Sequence, residues 1–91
     1  MRIDVLCKPD GDKRCERTLS RVRQALDNLS LEAEVHLYRD QRKMIDNRVY
    51  VSPALLIDDT VRVAGRVPTV EEIERLLRER PRYQKRMQAV A

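Results

Sequence analysis

Cys7 and Cys15 are the two residues of this sequence with the most distinctive chemistry. A thiol can exchange with disulfides, bind a metal, or pack as a small apolar side chain. A zinc site needs three or four ligands, and the sequence adds only His36, on a different predicted element, so metal binding is disfavoured. No export signal is recognisable, and a reducing compartment disfavours a purely structural disulfide. Two interpretations of the cysteines stay open: a redox-active pair, or thiols with no redox role.

The elements that must position these cysteines follow from periodicity. Residues 2–7 form a short segment with β-branched residues, which predicts a strand. The Pro, Asp and Gly of residues 8–11 indicate a turn. From Asp12 onward, apolar residues recur at spacings of three and four, which predicts an amphipathic helix that ends near residues 28–30. Asp12 is the expected N-cap of that helix.

The second half of the chain is predicted to contain the remaining strands. Residues 33–38 alternate between apolar and polar types, as in a half-exposed strand at a sheet edge. Residues 40–47 are polar around one apolar pair, which fits a short helix or an irregular crossover. Residues 54–57 and 61–65 flank two aspartates and predict a β-hairpin.

The last helix has its own start signal. Thr69 and Glu72 have the spacing of a capping box, and the apolar residues that follow form one stripe. That stripe consists of Ile73, Leu76 and Leu77.

Composition limits the function classes. A chain of 91 residues is one domain, and 3% aromatic residues disfavour base stacking on nucleic acid. The net charge is +4, and residues 81–91 carry three of those charges, so we expect a basic C-terminal tail there, with disorder as one outcome. Nucleic-acid binding is therefore disfavoured, a membrane span is not expected, and the predicted location is cytoplasmic.

The order β-α-β-α-β-β-α resembles the minimal thioredoxin fold, most closely that of small thioredoxin-like or glutaredoxin-like proteins of bacteria and archaea. The resemblance covers about residues 2–80. It implies an α/β domain over residues 1–80, with a four-stranded mixed sheet flanked by helices. It rests on Ile3-Asp4-Val5-Leu6, a thiol in the first turn of the first helix, Ser52-Pro53-Ala54-Leu55-Leu56-Ile57-Asp58, and Val63-Ala64-Gly65-Arg66-Val67-Pro68.

The resemblance implies a Cys-x-x-Cys motif at the start of the first helix, and here the motif is degenerate. Cys15 occupies the second, resolving position, and Asp12 stands in the position of the attacking thiol. A carboxylate cannot perform thiol exchange. A helix N-terminus stabilises negative charge, so Asp12 is expected mainly to cap the helix.

Cys7 is the candidate replacement for the missing thiol. It ends the first strand, and the short loop to Cys15 permits the Cα separation of about 4.4–6.8 Å that a disulfide needs. Such a bond would stabilise the fold by only about 2–3 kcal/mol, which suits a reducible pair. Lys8, Lys13 and Arg14 add positive potential that favours a thiolate. The alternative is that one or both cysteines are structural.

Pro53 carries a separate expectation. By resemblance its peptide bond is cis, and Ser52 and Pro53 form one wall of a groove whose other wall runs from Asp12 through Arg14 to Cys15. The alternative is that Pro53 only begins a strand, a position that tolerates a residue without an N–H.

Two functions follow from these residues. The first is a thioredoxin-like thiol–disulfide protein, a redox sensor or weak oxidoreductase that uses Cys15 with Cys7 and acts on protein thiols, disulfides or glutathione. The second is a redox-silent binding module that presents the groove beside Pro53 to a peptide or protein. Neither requires a cofactor or a metal.

Overall fold

A computed structural model of the chain describes residues 1–10 and 13–79. Seven elements follow the predicted order. Strands and helices are β1 (Arg2–Cys7), α1 (Lys13–Leu29), β2 (Glu34–Arg39), α2 (Gln41–Asp46), β3 (Ala54–Ile57), β4 (Thr60–Ala64) and α3 (Val70–Arg78). The expected cap at Asp12 and the basic tail lie outside the described residues. No helix within the described ranges is long and apolar enough to cross a membrane.

The four strands form one mixed sheet in the order β2-β1-β3-β4. β1 and β2 are parallel, as a strand–helix–strand connection requires, and Cys7 stands opposite Arg39. β3 runs antiparallel to β1, with Leu6 opposite Ala54. The α/β prediction is confirmed, including the hairpin of β3 and β4 and the edge position of β2.

The apolar core lies on both faces of the sheet. α1 and α3 cover one face, where buried side chains such as Val5, Val22 and Ile73 pack together with both cysteines. The other face carries a smaller cluster made by Leu6, Met44, Val49, Ala54 and Leu56. Residues 40–47 therefore contain a helix, because Met44 of α2 is 2% exposed and its burial holds the segment against the sheet.

Local polar chemistry sets the ends of the elements. The hairpin turns at Asp58 and Asp59, whose φ angles of 48° and 68° place both in the left-handed region that a type I′ turn requires. Asp40 caps α2, since its side chain accepts a hydrogen bond from the Arg42 backbone N–H. Thr69 caps α3 by accepting from the Glu72 backbone N–H at 3.1 Å, as the capping-box spacing predicts.

Candidate functional site

One end of the sheet brings the two cysteines together. Cys7 is the last residue of β1, and Cys15 is the third residue of α1. A disulfide joins them, and their Cα atoms are 6.2 Å apart. Both side chains are fully buried at the edge of the larger core cluster. The β1–α1 connection therefore closes a covalent loop at the point where the helix begins.

Pro53 lies at the same end of the sheet. The register pairs Leu6 with Ala54 in antiparallel strands, so Cys7 and Pro53 are the next residues along the two strands. The Ser52–Pro53 peptide bond is cis. The Pro53 carbonyl accepts a hydrogen bond from the Gly65 N–H at 2.9 Å, which fixes this segment to the end of β4. Pro53 is buried, whereas Ser52 is partly exposed.

Basic residues flank both cysteines in the chain. Lys8 directly follows Cys7, and Lys13 and Arg14 precede Cys15; all three are exposed. Glu16, in the first turn of α1, lies 3.5 Å from the guanidinium of Arg39 at the end of β2. Positive charge near a thiol stabilises its thiolate.

Comparison with known proteins agrees with this geometry. A family model described as a thioredoxin domain matches residues 1–78. The chain belongs to the thioredoxin family. A thioredoxin of Methanocaldococcus jannaschii is 31% identical over 68 residues, which cover 75% of this chain and 78% of that protein. A thioredoxin of Methanothermobacter thermautotrophicus is 25% identical over 67 residues, covering 74% of this chain and 87% of that protein.

In this thioredoxin-family chain, most of the residues selected from the sequence meet at one end of the sheet. Cys7 and Cys15 are bonded, and Ser52 and Pro53 adjoin the end of β1. The Arg14 backbone carbonyl accepts a hydrogen bond from the Thr18 hydroxyl at 2.8 Å. The assignment of Asp12 to the first motif position stays a prediction.

Sequence reasoning missed the apolar surface of this site. Tyr50 and Val51 are 68% and 50% exposed and directly precede Ser52 and Pro53. The signal was present, because three apolar residues, Val49, Tyr50 and Val51, stand in a row directly before Ser52 and Pro53. Gly65 adjoins this surface: a Cβ atom placed on it would lie 3.0 Å from a methyl carbon of Val51.

Proposed function

We propose that this protein is a thiol–disulfide exchange protein whose reactive pair is Cys7 and Cys15. The observation that carries the proposal is the bond between these cysteines at the start of α1, next to the segment that ends in Pro53. The family assignment supports a thioredoxin-like thiol protein. The replacement of a Cys-x-x-Cys pair by cysteines eight positions apart makes the loop between them part of the site.

The proposed reaction starts from the reduced protein. The Cys15 thiolate attacks one sulfur of a partner disulfide, and the other partner sulfur leaves as a thiolate that takes up a proton. The Cys7 thiolate then attacks the Cys15 sulfur of the mixed disulfide. The partner departs as its second thiol, and the Cys7–Cys15 disulfide forms, so the partner gains the two electrons that the protein loses. Because both cysteines are buried in the oxidised protein, exchange requires a local opening beside them.

The neighbouring residues have supporting roles in this proposal. Lys8 and Arg14 favour the thiolate by their charge, and Asp12 takes no part in exchange, because a carboxylate cannot exchange with a disulfide. Ser52 and Pro53 present the backbone against which a protein segment or glutathione would lie. A cytoplasmic location suits the pair, since a reducing compartment would regenerate the dithiol.

The stability of the bond supports a reversible role. Closing so short a loop constrains the unfolded chain by about 2–3 kcal/mol, the low end of what disulfides contribute. A pair that contributes little to folding can cycle between its two states while the domain stays folded. A redox sensor and a weak oxidoreductase both need this property.

A redox titration tests the proposal. The purified chain is equilibrated in glutathione buffers of stepped potential, and its free thiols are counted by alkylation and mass spectrometry. Both thiols should disappear together at one midpoint, and Cys7→Ser and Cys15→Ser should each abolish insulin reduction. Two thiols that stay free throughout, with insulin reduction unchanged in both variants, would contradict the proposal.

The full burial of both cysteines favours a second candidate, a redox-silent binding module. In that case the disulfide is structural, and the exposed residues beside Pro53 bind a peptide or protein. The same titration separates the two, because a structural disulfide would stay oxidised across the glutathione range.

A further inference from the structure

A depression of about 230 Å³ lies on the face of the sheet that α2 covers, opposite the face on which both cysteines pack, and Lys8, the residue after Cys7, lines it. We call it the α2 pocket. Met44 and Val49 are almost fully buried beneath it, while Ile45 and Tyr50 are 50% and 68% exposed at its sides. Its lining consists of Lys8, Gln41, Met44, Ile45, Val49 and Tyr50. The pocket is therefore apolar below and open to solvent above.

The exposed apolar side chains of this protein concentrate around the α2 pocket. Among the described residues, four large apolar side chains are clearly exposed, and three of them lie between positions 45 and 51. Single exposed apolar residues are common on protein surfaces, but a contiguous group next to a pocket is typical of a binding surface. Ile45 and Tyr50 both line the pocket, and Val51 follows Tyr50 in the chain.

The charge at the rim limits what can bind there. Lys8 is the one charged residue in the lining, and it immediately follows Cys7. Its side chain is exposed, and no ion pair joins it to another residue within the ranges 1–10 and 13–79. A carboxylate brought beside Lys8 would gain a charge interaction without displacing an existing one.

The size of the α2 pocket favours a side chain over a small molecule. Small-molecule sites usually enclose about 300–1,000 Å³, which exceeds this volume. Protein partners, by contrast, commonly anchor one apolar or aromatic side chain in a pocket with a polar rim. Met44 suits such a role, because its flexible thioether can adapt to side chains of different shapes.

We propose that the α2 pocket selects acidic protein partners: it receives one apolar side chain of an extended partner segment, and Lys8 pairs with a carboxylate beside that side chain. This inference rests on the proposed exchange reaction. Lys8 directly follows Cys7 in the chain. The apolar residue and the acidic residue of the partner therefore lie within a few positions of the partner's own reacting cysteine, at about 3.3 Å per residue of extended chain. The partner segment passes from the disulfide, along residues 50–53, to the pocket.

Three synthetic peptides test this specificity. Each carries one cysteine as a mixed disulfide with nitrothiobenzoate. The residues that flank this cysteine are leucine and aspartate in the first peptide, leucine and lysine in the second, and alanine and aspartate in the third. Attack by the reduced full chain on the peptide sulfur releases coloured nitrothiobenzoate, and the second protein thiol then frees the peptide. The leucine–aspartate peptide should react about tenfold faster than the leucine–lysine peptide at low salt. That ratio should shrink at about 0.5 M salt.

Variants link the preference to the pocket. Lys8→Glu should invert the aspartate-to-lysine ratio, and Tyr50→Ser should remove the advantage of leucine over alanine. Arg23→Glu makes the same charge change on an exposed residue two turns beyond Cys15 in α1, and it should keep the wild-type ratio. The ratio is the decisive quantity, because any effect of Lys8 on thiolate formation changes the rates of all three peptides together.

The outcomes separate this inference from the exchange reaction on which it depends. Equal rates for the three peptides, or a uniform slowing of all of them by Lys8→Glu, would overturn the pocket assignment and leave exchange intact. No release from any peptide, with both thiols shown to be reduced, would instead contradict the proposed function.

Discussion

The backbone conformation at Gly65 and its closeness to Val51 both require a residue without a side chain. Its φ of 84° lies in the left-handed region, which disfavours a side chain, and a Cβ would stand 3.0 Å from a Val51 methyl carbon. Its N–H also binds the Pro53 carbonyl. A small residue here thus lets β4 approach the segment that precedes β3.

Gly65→Ala should lower the free energy of unfolding by about 1–2 kcal/mol, because alanine in this conformation is strained and its methyl group meets Val51. Urea unfolding at neutral pH measures the loss. Adding Val51→Ala removes the steric contact but leaves the backbone strain, so the double variant should recover only part of the stability. Full recovery of the stability would show that alanine adopts the backbone conformation of Gly65 without strain.

Polar and charged side chains gather around the ring of Tyr38 in β2. Tyr38 accepts a hydrogen bond from the Arg2 guanidinium at 2.8 Å, and the Lys43 ammonium lies 4.3 Å from the centre of its ring. His36 stacks on the same ring and is partly exposed, as its place in the alternating strand predicts. These contacts cover the open face of β2 with polar groups.

At the scale of elements, the start of α3 depends on Glu72 and Arg66. Both guanidinium NH groups of Arg66 bond to the Glu72 carboxylate, the first at 2.7 Å. The Arg66 hydrogen bond is the main cause that lowers the pKa of Glu72, although partial burial opposes it. The backbone of Thr69 adds a smaller contribution in the same direction, which completes the capping box.

The lowered pKa of Glu72 predicts a pH dependence. A carboxyl group whose pKa is lower in the folded state stabilises the fold above its unfolded pKa, and the stabilisation is lost as the pH falls through the folded pKa. Arg66→Gln should therefore lower the urea midpoint most at pH 7 and less at about pH 3, because the ion pair is lost as the pH falls through the lowered pKa of Glu72. Arg23→Gln, on an exposed position of α1, is the matched control. A loss for Arg66→Gln that is the same at both pH values would exclude this pair as the source.

At the scale of the whole molecule, the disulfide joins two elements that the core already holds together. Val5 of β1 and Val22 of α1 belong to the same buried cluster as both cysteines. The domain should therefore keep its fold without the bond and lose only the constraint that the bond places on the unfolded chain.

Reduction of the wild-type protein should lower the free energy of unfolding by about 2–3 kcal/mol without loss of the folded state at room temperature. Urea unfolding followed by circular dichroism, with and without reductant, measures the difference. Cys7→Ala combined with Cys15→Ala removes the bond, so the stability of that variant should not respond to reductant. If reductant lowered the stability of this variant by the same amount, the effect would come from the reductant and not from loss of the disulfide.

The sequence alone determined the elements and their order. Helix spacing from Cys15 to Leu29, alternation in β2, the paired aspartates of the hairpin and the Thr69 cap are all short-range signals, and each one specifies local structure without knowledge of the rest. The parallel pairing of β1 and β2 follows as well, because a strand–helix–strand connection permits it and a tight turn does not.

Only the tertiary structure decided what surrounds the cysteines. Whether Cys7 bonds to Cys15 or packs alone depends on the angle at which α1 meets β1, which the packing of the shared core sets. Tyr50 and Lys8, the residue after Cys7, line one pocket because β3 pairs antiparallel to β1 in one register and Met44 packs α2 against the sheet. The pairing of strands more than forty residues apart depends on the burial of side chains from the whole chain, and no local pattern contains that information.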